Sequence, residues 1–346
     1  MASVSTAKPA SDTKAVSRLL LKSLLLVIPY LPIVVSYFVL DPFRVLYDYK
    51  KFDEPLTVVP NRDYISTQMY LNTYQQRPYS SFILGNSRTM SFLTRDWVKY
   101  TGDSLAFHYD ASGESLYGVG QKLQFVEQHN SSLKNVLIIC DQELLKMVGD
   151  VDNHIYRKDP RTTGDFSFAF QLAFLKAYFS DTFFFQYLKQ RVTGKFTPEM
   201  FGILEDRRIY YDPVTNDMVL PDINAEIKRD SVGFYARNRS LRLARKAGVS
   251  DAVIGPEQLR QLVAMRNIFK RHNTNYHIVI SPLFKQQQLN PADLALLQRT
   301  FGASHIHDYS GVNEFTKEVG NYYEQDHYRP LVGRKILEQI YAPRPQ

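Results

Sequence analysis

A chain of 346 residues with 44% hydrophobic and 22% charged residues has the composition of a folded globular protein, long enough for one large domain or one domain carrying an insertion. Its single cysteine, Cys140, excludes an intramolecular disulfide framework and a multi-cysteine zinc site. The net charge of +7 is no nucleic-acid signature, because Lys8, Lys14, Arg18 and Lys22 against Asp12 put +3 of it in the first 22 residues and no basic block with interleaved aromatics follows.

Residues 1–18 are small and polar and read as a disordered tail. Residues 23–40, SLLLVIPYLPIVVSYFVL, carry no charge, and with Leu19 to Leu21 the apolar stretch reaches the roughly 20 residues that span a bilayer. Lys22 can snorkel to the headgroups, and Pro29 and Pro32 kink the span. No small-x-small cleavage site precedes Asp41, so an uncleaved transmembrane helix over 19–40 is expected rather than a signal peptide. Basic residues dominate before it and mixed charges follow, which predicts a cytoplasmic N-terminus and an extracytoplasmic domain.

Residues 41–79 read as a juxtamembrane connector with a helix over Asn61–Gln75. An α/β alternation then begins. Phe82–Leu84 is a strand that breaks at Gly85 into Asn86, Ser87 and Arg88, and Thr89–Tyr100 is a helix ending at Gly102. Leu105–Tyr109 is a second strand, followed by the loop of Asp110 to Ser115 and a helix over Leu116–His129. Asn135–Cys140 is a third strand opening on Asp141, with Cys140 as a buried small hydrophobe.

Residues 151–254 interrupt the alternation as a largely helical insertion. Phenylalanine is so dense over Phe166–Leu188 that a solvated face is excluded; core helices, a partner or a membrane surface remain. Asp212 to Asp217 marks a turn without a calcium-loop spacing, and Ala236–Lys246 is a basic amphipathic run. The pattern resumes with a helix at Glu257–His272, a strand at Tyr276–Ile280, a helix at Pro291–Phe301, a strand at His305–Asp308 and a closing helix at Pro330–Tyr341. Five strands in such alternation predict an α/β fold with a three-layer, flavodoxin-like parallel sheet.

Chemistry in such a sheet gathers at the carboxyl edge of the strands. Ser87 lies there, after the first strand, and Glu324, Gln325, Asp326 and His327 precede the last helix. A serine hydroxyl needs a base to take its proton, and the base needs a carboxylate to hold its tautomer. Gly113 and Asp141 belong to loops of the same edge. His305 and His307 with Asp308 lack an evident third ligand, so neither a metal nor a cofactor is expected. Asn130 and Asn238 begin glycosylation sequons.

These blocks, Gly85-Asn86-Ser87-Arg88, the glycine of Asp110 to Glu114, and Glu324 to His327, resemble those of the SGNH (GDSL-like) hydrolase superfamily. The resemblance covers about residues 80–145 and 255–341. With the N-terminal span, the chain is more particularly similar to the membrane-anchored proteins that accompany MBOAT acyltransferases in O-acylation of bacterial envelope polysaccharides. The resemblance implies Ser87 as nucleophile, His327 as base and Glu324 as acid, with glutamate where most members have aspartate. It implies backbone oxyanion donors at Ser87 and Gly113, and an asparagine side-chain donor after the third strand. Here that position is Asp141, which when ionised cannot donate, so either a protonated Asp141, Asn86 or Arg88 must serve, or turnover is slow. Arg88 and Arg329 are candidates for binding an anionic polymer. The implied setting is the bacterial inner membrane, with an MBOAT-like partner. An esterase on the same residues, or a catalytically silent scaffold docking through Phe166–Leu188, are the alternatives.

Overall fold

The computed structural model describes residues 13–28, 31–52, 56–129 and 132–342; the first twelve residues of the tail, Pro29 and the Asn130 sequon lie outside them. The chain forms two compact units, Met1–Pro42 and Phe43–Gln346. In the first, the apolar stretch is two helices, Thr13–Val27 and Leu31–Leu40, where one was expected. No single helix among the described residues is long and apolar enough to cross a membrane, but Val16–Leu26 and Leu31–Leu40 meet that test together as a pair bent by 52°.

The second unit is built on a five-stranded parallel sheet of β1 (Ser81–Gly85), β2 (Ala106–Asp110), β3 (Asn135–Cys140), β4 (Asn275–Ile280) and β5 (Ile306–Asp308). Their spatial order is β2-β1-β3-β4-β5. Near-continuous apolar runs such as VLII in β3 suit strands covered on both faces. Alternate side chains divide the core accordingly. Phe82, Leu84, Phe107, Val136, Ile138, Ile278 and Ile280 face one layer, which holds the helices Leu116–Gln128, Pro256–His272 and Pro291–Phe301. Ile83, Leu137, Ile139 and Val279 face the other, with Trp97 of the helix Thr94–Thr101 and Val332, Ile336 and Leu337 of the helix Pro330–Tyr341. Each observed strand lies within about a residue of its sequence-predicted range, because a short apolar run between loops is a local signal.

Three expectations differ. The helix expected over Thr89–Tyr100 is a 3₁₀ turn, Ser87–Ser91, followed by Thr94–Thr101. The break lets Asp217 of the insertion cap the new helix, accepting from the backbone N–H and hydroxyl of Thr94. The expected connector is core: its helix, Arg62–Thr73, buries nine consecutive residues, and Tyr70 is fully enclosed. The basic run Ala236–Lys246 is not one helix, since the helix Ser231–Arg237 stops where Asn238 turns its amide to the carbonyl of Tyr323.

The insertion is woven into the sheet unit. At edge strand β2, the N–H of His108 donates to the Thr215 carbonyl and the Asn216 amide donates to the His108 carbonyl, so the expected Asp212–Asp217 turn occupies the open edge. Beneath the loop after β2 lies a buried ion cluster that composition did not reveal. Lys122 Nζ meets Asp63 at 2.9 Å and Glu114 at 2.6 Å, and Lys158 Nζ meets the other Glu114 oxygen at 2.6 Å, all four side chains being at most 2% exposed. Burial alone would raise the Glu114 pKa, but the two lysines overcome it and hold the carboxyl at about 2. A carboxylate depressed from its ordinary 4.5 contributes stability that is complete above that value and is lost as pH falls toward about 2.

Removing one partner of a buried pair strands the others. Glu114→Gln is therefore expected to cost about 3–5 kcal/mol at neutral pH in urea denaturation. Its stability should also fall less than that of the wild type between pH 4.5 and about 2, the window in which Glu114 takes up its proton.

Candidate active site

The site forms at the carboxyl ends of β1 and β3, where the strand order reverses direction. Gly85 closes β1 with φ +138°, and a Cβ there would lie 2.1 Å from the Ile139 carbonyl oxygen of β3, so only glycine fits. The chain then turns into Ser87–Ser91, capped by the Asn86 side chain, whose oxygen accepts from the Arg88 N–H. Ser87 heads this turn with its side chain partly exposed. Its backbone N–H, the first of the turn, has no acceptor within the turn.

His327 reaches Ser87 from the other end of the chain. Its Nε2 lies 2.7 Å from Ser87 Oγ, and its Nδ1 is hydrogen-bonded to Glu324 Oε1. The second Glu324 oxygen accepts from the Asp326 N–H at 2.7 Å, which fixes the carboxylate. Burial would push the Glu324 pKa up, but the hydrogen bond and charge of His327 outweigh it, with Arg207 contributing, and the group lies below the usual range. An ionised carboxylate accepts only, so Nδ1 carries the imidazole proton and Nε2 offers its lone pair to the serine hydroxyl. The extra methylene of glutamate is absorbed by a tight loop in which the Tyr323 N–H donates to the His327 carbonyl and Tyr322 bridges Tyr328.

That loop is held from three directions. Tyr322 donates its hydroxyl to the Pro282 carbonyl after β4, Tyr323 to Asn224 of the insertion, and the Gln325 amide donates to the Ser240 carbonyl. Ser91 Oγ donates to the Tyr328 carbonyl, tying the loop to the turn that bears Ser87. Gly333 sits where a Cβ would come 1.9 Å from the Ser91 carbonyl oxygen, so the closing helix rests directly on that turn. Gly333, Asn224, Ser240 and Ser91 gave no signal in the sequence, because each acts through contacts far along the chain.

Other sequence candidates fall into place differently. Asp141 is buried, and its Oδ2 accepts at 2.6 Å both from the Asn86 amide and from Arg88 Nη1, while Oδ1 caps the helix Gln142–Lys146. Both its oxygens accept, and in the structure Asp141 is the group that aims Asn86 and Arg88. Arg88 Nη2 also stands 3.9 Å from Asp326. Arg329 points elsewhere: Nη1 donates to the Gly320 carbonyl at 2.9 Å, and the residue lines a cavity of about 310 Å³ with Met90, Tyr323 and Arg334. Gly113 lies exposed in the loop after β2, over the ion cluster. Burial pushes the Cys140 thiol far up, with Asp141 and Asp308 adding, which leaves it inert at neutral pH. His305 donates to the Tyr276 carbonyl while His307 pairs with His277, so the two histidines serve different neighbours.

No family model matches the chain, and neither the curated proteins nor the solved structures compared with it give a match.

Asp141→Ala would leave the guanidinium of Arg88, only 15% exposed, without its counter-ion. A loss of about 3–5 kcal/mol is expected from chemical denaturation. Asp141→Asn, which keeps an acceptor for one partner, should lose less.

Proposed function

We propose that this protein is an SGNH-type O-acyltransferase component, anchored in the bacterial inner membrane by residues 19–40 with its N-terminus cytoplasmic and its α/β unit outside. The observation that carries the chemical part is the continuous hydrogen-bonded path from Ser87 through His327 to Glu324. The anchor is supported by the uncharged stretch and its flanking charges.

In this reading Ser87 Oγ attacks the carbonyl carbon of an acyl donor as its proton passes to His327 Nε2. The oxyanion faces the N–H groups of Ser87 and Gly113. An amide nitrogen carries two N–H groups, and Asn86, with one held by Asp141, offers the other as the side-chain donor. The tetrahedral intermediate collapses when the leaving group departs with the proton from His327, leaving a Ser87 ester. A hydroxyl of an envelope polysaccharide then gives its proton to His327, attacks the ester carbonyl, and regenerates the serine. The donor is an acetyl or similar small acyl group, delivered by an MBOAT-like membrane partner.

Hydrolysis of glycan or lipid esters uses the same residues. The partial exposure of His327 and Glu324, at 23% and 34%, favours keeping that reading, since water has access. Product analysis, transfer against release, separates the two.

The test is the intact mass of the protein after incubation with p-nitrophenyl acetate. A single acetyl adduct is expected in the wild type and none in Ser87→Ala. Glu324→Gln should slow adduct formation by on the order of 10³- to 10⁴-fold, as expected when the base loses its orienting charge. An adduct that persists in Ser87→Ala would remove the proposed nucleophile.

A further inference from the structure

The phenylalanine-rich segment forms a helical hairpin, Ser167–Tyr178 and Asp181–Thr193, and its two sides have different fates. Phe170, Phe174 and Tyr178 on the first helix and Phe183 and Tyr187 on the second are buried. This inner side receives the first residues of the sheet unit: Phe43 packs its ring 5.3 Å from Phe174 and 4.7 Å from Phe183, and the Gln171 amide donates to the Val45 carbonyl.

The outer side is also apolar. Phe168, Leu172, Leu175 and Phe179 follow helical spacing along the first helix, with Phe168 at 65% and Phe179 at 41% exposed. Phe185, Leu188 and Val192 do so on the second, at 62%, 48% and 77%. Phe166 before the hairpin and Phe201 after it are exposed at 77% and 83%. Lys176, Lys189 and Arg191 stand exposed on the two helices against Asp181 as their one acid, with Asp165, Lys195 and Glu199 on the flanks. Aromatic and aliphatic residues with a basic fringe are the composition of a helix that lies in a membrane interface.

We propose that the outer side of this hairpin is a second membrane contact, seated in the headgroup region of an anionic bilayer. The inference rests on the proposed anchoring of residues 19–40. Only Asp41 and Pro42 separate the end of that apolar stretch from Phe43, a path of about 10 Å at full extension. A bilayer that holds the anchor is therefore within reach of the element on which Phe43 is lodged, and a basic apolar face is the surface such a bilayer would take up. A protein partner would be reached by no such constraint. The hairpin then gives the sheet unit a fixed attitude to the membrane, with the anchor and the hairpin as two separate points of attachment.

The experiment uses the full chain in vesicles of phosphatidylcholine and phosphatidylglycerol, with no other protein. Single cysteines Phe168→Cys, Phe185→Cys and Val192→Cys carry an environment-sensitive fluorophore, and Val232→Cys, at a position 84% exposed on another helix, is the reference; native Cys140 stays in place, being buried. The three hairpin labels should be quenched several-fold more by doxyl-labelled lipid than the reference, and several-fold less by iodide. Labels that behave like the reference overturn the proposal, as do labels shielded from iodide yet blind to the lipid quencher, which would mark a protein-covered face. Flotation of the vesicles reads the anchor separately: a chain that floats with aqueous labels loses only the hairpin contact, whereas a chain that does not float loses both readings.

Discussion

Ser87 and His327 are separated by 240 residues, and the contact that joins them depends on a backbone-to-backbone approach. The closing helix can rest on the turn of Ser87–Ser91 only because Gly333 has no side chain to strike the Ser91 carbonyl. Once that helix is seated, the loop before it is tied to the same turn by Ser91 and Tyr328. The positions of His327 and Ser87 are then set by rigid elements on either side, and the hydrogen bond to Glu324 orients the imidazole. The second close approach, Gly85 against Ile139, fixes where β1 ends and hence where the serine starts its turn. Both are packing constraints, and both act on chemistry through distance alone.

The opposite rim of the site is organised by charge. Asp63, Glu114, Lys122 and Lys158 come from the helix within the expected connector, the loop after β2, the following helix and the insertion, so four segments meet in one dry cluster. Arg62 adds a fifth link, reaching Asp110 at the end of β2 and the Asn216 carbonyl of the insertion. A buried ion cluster of this kind is a poor source of stability compared with apolar packing. What it does provide is a tie among those segments, with Glu114 in the cluster adjoining Gly113 in the loop after β2.

The sheet was legible because strands buried on both faces announce themselves as short apolar runs between loops, and those runs are local. Helices such as Pro291–Phe301 and Pro330–Tyr341 were legible for the same reason, with proline marking the first turn. The pairing of the Ser87 and His327 blocks needed one further assumption, that loops at one edge of a parallel sheet converge, and the hydrogen bonds agree with it. What sequence hid was everything decided by a distant partner. Thr89–Tyr100 reads as one helix by itself, and the acceptor that serves its second start at Thr94 is Asp217, more than a hundred residues away. Arg62 and Asp63 look like ordinary solvated charges until the fold buries them.

Asp141 shows how a residue type can mislead while its position does not. An asparagine there would donate to an oxyanion, and an aspartate reads as a loss of that donor. By accepting from Asn86 and Arg88 at once, Asp141 fixes an amide beside Ser87 and balances the charge of a largely buried guanidinium. The carboxylate is committed to both hydrogen bonds, and its charge is taken up by the Arg88 guanidinium. On the proposed mechanism the side-chain N–H therefore comes from the first strand's loop rather than the third's.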